Sequence, residues 1–163
     1  MNAYHDYGKK GMDETLLPAL IETLGRHGKV FITSEKNIGE AFEKYRLVID
    51  PSDMHHYLAF ASIFISDSQS MTVEAAILGT PNIRVSDFAG RVSVLEVLEK
   101  EYCLTAAFKP HEKERVLNLV DEWVRDDRLQ EKYSLRRSRM LADMTDVTEF
   151  MVKQIEGTGK AGK

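Results

Sequence analysis

The densest run of chemically capable side chains is Ser66-Asp67-Ser68-Gln69-Ser70-Met71-Thr72-Val73-Glu74. It follows the apolar run Ser62–Ile65 and opens a helical pattern that ends at Gly79. The first turn of a helix leaves about four amide N–H groups unpaired and carries roughly half a positive charge. A phosphate satisfies both. Ser68, Gln69 and Ser70 are small or polar and leave the backbone of this turn, Met71 included, open to approach. Glu74 follows one helical turn after Ser70, on the same expected face. A carboxylate repels phosphate but accepts well from a pair of sugar hydroxyls. Phosphate on the turn and ribose on Glu74 together suit a nucleoside diphosphate. The competing explanation is an ordinary N-cap serine with a solvated first-turn acid. The turn lacks the glycines of a dinucleotide-binding fingerprint or a P-loop.

Two further loops carry polar groups. In His5-Asp6-Tyr7-Gly8-Lys9-Lys10-Gly11, Lys9 and Lys10 can reach an anion, and His5 can donate to a phosphate or move a proton near neutral pH. In Ser86-Asp87-Phe88-Ala89-Gly90-Arg91, Arg91 can hold a phosphate and Asp87 can accept from a hydroxyl. Each loop also reads as a plain solvated turn. His5 and Arg91 are the candidates for catalysis. His55 and His56 are neighbours on an expected helix and point apart, and no spacing here makes a metal-ligand set.

These loops need a scaffold. Leu16, Leu17, Leu20, Ile21 and Leu24 have helical spacing, predicting a helix over 14–26. Strands are expected at 2–4, 29–33, 46–49, 62–66, 82–85 and 102–106. Shorter helices are expected at 38–45, from Ser52 or Asp53 to 61, at 70–78 and at 92–100. The run 62–66, apolar on both faces, reads as a central parallel strand. Three helices follow, at 111–125, 127–143 and 145–155. The alternation predicts an α/β fold with a doubly wound, mostly parallel Rossmann-like sheet and a C-terminal helical extension. Residues 1–110 form the core, 111–156 pack on it, and 157–163 form a frayed tail. The first strand is so short that an N-terminal partner domain is expected to precede it. Trp123, Tyr133 and Phe150 suit helix packing better than ligand stacking.

Composition sets the bounds. The 163 residues are 43% apolar and 29% charged, a globular balance. The net charge is −4, with the acidic excess wholly in residues 1–110 and no broad basic face. Phosphate-driven binding of nucleic acid is therefore not expected. The longest mainly apolar run, Tyr57–Ile65, is far short of the ~20 residues that span a bilayer. The single cysteine, Cys103, excludes an internal disulfide and is expected as a small buried hydrophobe in a strand. The expected location is cytoplasmic.

The pattern Asp67-Ser68, then Glu74-Ala75-Ala76, then Leu78-Gly79-Thr80-Pro81 resembles the C-terminal nucleotide-binding domain of GT-B-fold enzymes. It is similar to the UDP-N-acetylglucosamine 2-epimerases and to a prokaryotic GT-B-like family of unassigned activity. The second family is also resembled at Tyr4-His5-Asp6, Gly8–Gly11 and Leu58–Ala61. The resemblance covers about residues 2–106. It implies ribose on Glu74, diphosphate on Ser68, Gln69, Ser70 and Met71, the strand-exit histidine at His5, and the loop arginine at Arg91. The uracil side would fall near Ile49–Met54. Gln69 and Ser70 stand where the epimerases have a double glycine, and His5-Asp6 replaces a His-Arg pair. The implied role is the sugar-nucleotide-binding half of a glycosyltransferase-related protein. It would be active only when joined to its other domain and would take a UDP-sugar or other nucleotide-sugar as ligand, with no further cofactor. An epimerase half, or a non-catalytic module docked on a partner chain or on a second copy, are the alternatives.

Overall fold

The computed structural model describes residues 12, 15–34 and 37–160. The expected strand at 2–4, and His5, Lys9 and Lys10, lie outside them. The described chain is an α/β fold. Its sheet has three parallel strands in the order β1-β2-β3: β1 (Phe64–Ser66), β2 (Asn82–Val85) and β3 (Ala106–Phe108). Phe64 pairs with Asn82, and Arg84 with Ala107. Parallel neighbours need long crossovers. Here they are α4 (Gln69–Leu78) and α5 (Ser93–Lys100). Before the sheet come α1 (Leu16–Gly25), α2 (Glu40–Glu43) and α3 (Met54–Phe60). After it come α6 (Lys113–Val124), α7 (Leu129–Asp143) and α8 (Val147–Lys160).

One core joins these elements. Leu16 and Leu20 of α1 meet Ile83 and Val85 of β2, Leu95 and Leu98 of α5, and Val116, Val120 and Trp123 of α6. Tyr133 and Met140 bring α7 into the same cluster. Trp123 and Tyr133 meet edge to face, centroids 5.6 Å apart, as their helix-packing role requires. Burial pushes the Tyr133 hydroxyl well above its usual pKa.

Helix α4 is held at both ends. The Ser68 hydroxyl accepts from the Met71 amide, and the Ser68 carbonyl accepts from the Thr72 hydroxyl at 2.6 Å. At the other end Gly79 has φ +80°, and the Gly79 and Thr80 amides donate back to Ala76 and Ala75. This is a Schellman stop. A Cβ on Gly79 would lie 2.8 Å from the Arg137 side chain, which itself donates to the Ile77 carbonyl.

Several expectations are corrected. The last strand is 106–108 rather than 102–106. Cys103 is exposed at φ +53°, because α5 unwinds there and Leu104 donates back to Leu98. The segments expected as strands at 29–33 and 46–49 meet in one parallel bridge, Ile32 with Arg46. Phe31 and Val48 are exposed there, where a buried strand would need cover. Among the described residues β2, not 62–66, is the middle strand. Phe150 is exposed rather than packed, and α8 runs past its expected end at 155.

The middle strand carries a charge. Arg84 is fully buried, and its three guanidinium nitrogens have no hydrogen-bond acceptor among the described residues. Burial lowers its pKa, opposed by the fields of Glu99 and Glu96 on α5. Burial also holds the Glu99 carboxyl above its usual range, while the Ala107 amide donates to it and Arg84 pulls it down. Glu96 keeps its own ion pair with Lys100 at 2.6 Å, so removing Arg84 takes away only its field on Glu99 and Glu96. Arg84→Met removes a buried charge that makes no hydrogen bond among the described residues. It is therefore expected to change stability by no more than about 1 kcal/mol in urea unfolding at pH 7. Without Arg84 the folded-state pKa of Glu99 rises further above its unfolded value. The folded form then holds the proton more tightly, so the variant should gain stability relative to the parent as pH falls toward 5.

Candidate functional site

An open cleft of about 1330 Å³ lies beside β1. One wall is β1 with its flanks, residues 61–68, continued by Met71 and Glu74 of α4. The other is formed by residues 27–34 and 46–49. Leu17, Leu20, Ile21 and Leu24 of α1 also line it. Successive residues of a parallel strand bond to opposite sides. The Phe64 amide donates to Pro81 on the β2 side, so Ile65 faces the cleft and has no main-chain partner among the described residues.

Ser68, Met71 and Glu74 are spaced three apart and form one stripe of α4 on this wall. Gln69 and Ser70 lie off it. The Ser70 hydroxyl sits 3.3 Å from that of Ser68. Glu74 therefore shares its cleft face with Met71, not with Ser70. The Ser68 amide donates to the Ser66 hydroxyl at 2.8 Å, which tightens the strand exit. The Met71 amide is already taken by the Ser68 hydroxyl. The amides of Gln69 and Ser70 have no partner among the described residues. Asp67, also on the wall, adds a negative charge beside this turn.

Ile49, Pro51, Met54 and His55 line the same cleft. The chain enters α3 through a 3-10 turn, Pro51–Asp53, capped by Asp50. The hydroxyl and amide of Ser52 both donate to the Asp50 carboxylate and hold it below its usual pKa. His55 Nε2 lies 3.1 Å from Glu74 Oε2. The acid is not free, as its expected role assumes. Nothing in the local pattern signals this pairing, because the two residues come from different helices.

The third loop stands apart. Asp87 and Arg91 flank a turn in which the Ala89 amide donates to Ser86 and the Arg91 amide to Phe88, with Gly90 at φ +80°. Neither Asp87 nor Arg91 lines the cleft. His5, Lys9 and Lys10 lie outside the described residues. No group of three or more metal-ligating side chains occurs among the described residues. No helix among them is long and apolar enough to cross a membrane. Comparison with protein-family models, curated proteins and solved structures gives no match.

The Ser68 hydroxyl caps the helix that carries the cleft stripe. Ser68→Ala is expected to cost about 1 kcal/mol in urea unfolding, whereas Ser68→Asp keeps the cap and most of the stability.

Proposed function

We propose that this chain is the sugar-nucleotide-binding half of a GT-B-like, glycosyltransferase-related protein. The observation that carries the reading is the shared cleft wall. Ser68, Met71 and Glu74 line it together with Ile49, Pro51 and Met54, the segments to which the resemblance gives diphosphate, ribose and base. Only the part of the wall after Ser66, with Ser68, Met71 and Glu74, lies beyond the carboxyl end of β1, where open α/β sheets bind ligands. Two parallel edges bound the cleft, β1 and the Ile32–Arg46 bridge. A single extended strand between them would make a continuous, doubly wound sheet.

In this reading the Ser68 hydroxyl and the unpaired amides of Gln69 and Ser70 donate to the diphosphate, and Glu74 accepts from the ribose. His5, Lys9 and Lys10 remain candidates for the charge of the leaving group, whereas Asp87 and Arg91 do not line this cleft. The transfer is displacement at the anomeric carbon, with the nucleoside diphosphate leaving onto the helix N-terminus. The acceptor belongs to the other domain, so this chain alone binds nucleotide weakly and turns over nothing.

Calorimetric titration with UDP, UDP-sugars and GDP-sugars tests the reading. Losing a hydrogen bond to a charged group costs about 1.5–3 kcal/mol, so Glu74→Ala should weaken binding roughly 10- to 100-fold. Ser68→Asp should remove it while leaving the fold intact. No binding by the parent, or equal binding by parent and Glu74→Ala, overturns the reading.

A second reading, a module that docks on a partner chain or a second copy, is favoured by α8. Its residues Val147, Phe150, Met151 and Ile155 follow helical spacing and are all more than half exposed. Sedimentation should then show association that Phe150→Glu abolishes. A monomeric parent chain would count against a homo-oligomer.

A further inference from the structure

Resting on the reading of Glu74 as the ribose acceptor, we infer that His55 is a positioning residue for that acid and sets how strongly the site selects a ribose. Two helices meet here. Helix α3 is tied down at its far end, where the buried Thr80 hydroxyl donates to the Leu58 carbonyl at 2.8 Å and Leu58 is itself buried. Helix α4 is fixed by Ser68 and Gly79. His55 and Glu74 are thus carried into contact by two anchored backbones, 3.1 Å apart, on the wall of the cleft.

The contact engages one carboxylate oxygen. Oε2 lies 3.1 Å from His55 Nε2, and Oε1 has no partner among the described residues. A glutamate that is a third exposed otherwise samples several rotamers, and ordering one on binding costs part of the contact. Contact with His55, itself an exposed side chain, narrows those rotamers before the ligand arrives and leaves Oε1 for a sugar hydroxyl. Glu74 then makes a one-oxygen contact with the diol instead of gripping it with both. The other titratable groups nearest in the chain do not replace His55. Asp50 is taken by Ser52, Asp53 and Asp67 are acids that cannot pair with a carboxylate, and among the described residues His56 makes no ion pair with Glu74.

The test compares UDP with 2′,3′-dideoxy-UDP by calorimetry on the whole chain. General loosening of the cleft weakens both nucleotides alike, whereas lost positioning of Glu74 changes their ratio. The parent should prefer UDP by about tenfold or more, as expected for a hydrogen bond to a charged group. Glu74→Ala should bring the ratio close to one, and His55→Ala should reduce it to within about threefold. His55→Gln keeps a neutral N–H donor and should restore most of the preference.

If the parent binds neither nucleotide, or Glu74→Ala keeps the preference, the ribose reading falls and this inference with it. If Glu74→Ala loses the preference while His55→Ala retains it, the ribose reading stands and the role of His55 is overturned. Failure of His55→Gln to recover what His55→Ala loses also overturns it.

Discussion

Strand β2 is the constraint on which the rest depends. A parallel strand cannot pair through a tight turn, so each neighbour must arrive by a crossover long enough to hold a helix. Asn82, Ile83, Arg84 and Val85 are all buried. Both edges of β2 therefore need strands, and both faces need cover. Asn82 helps on one side, its amide nitrogen donating to the Thr80 and Leu104 carbonyls at 2.9 Å. Ile83 and Val85 draw in α1, α5 and α6 through the common core. Arg84 is the cost of the arrangement: its charge is taken out of water and balanced at a distance by Glu96 and Glu99.

The cleft follows from the same geometry one strand away. β1 is paired with β2 on one side and, among the described residues, has no strand on the other. Its exit is cinched by Ser66 and Ser68, so α4 starts in a defined direction and turns Met71 and Glu74 toward the cleft. Thr80, just after the glycine stop, reaches back to the end of α3. One short connection between α4 and β2 thus fixes both helices that bring Glu74 and His55 together. α7 adds to the frame from outside: Gln130 donates to the Ser62 carbonyl and Arg137 to the Ile77 carbonyl.

The sequence was legible where a local signal and the tertiary outcome agree. The helical spacing from Leu16 to Leu24, the stop at Gly79 and the strand 82–85 all appear where the pattern puts them. It misled where a short apolar run had two outcomes. Tyr102-Cys103-Leu104 looks like a strand, yet it serves as the unwinding end of α5, with Cys103 in a left-handed conformation usually left to glycine. Val30-Phe31-Ile32 has strand composition, but a strand needs a partner on each buried edge, and among the described residues it makes one bridge, Ile32 with Arg46.

What the sequence by itself determined is the parallel strands near 62–66 and 82–85 with the helix between them, the glycine stop of α4, and the placing of a serine-rich turn and an acid on one helix. Those features depend on periodicity, on caps and on the freedom of glycine, all of which act within a few residues. Only the tertiary structure decided that Glu74 shares the cleft with Met71 instead of Ser70, that His55 holds it, and that Asp87 and Arg91 stand outside. Those outcomes depend on how α3 and α4 rest on the start of β2, and contacts between residues distant in the chain leave no local pattern to read.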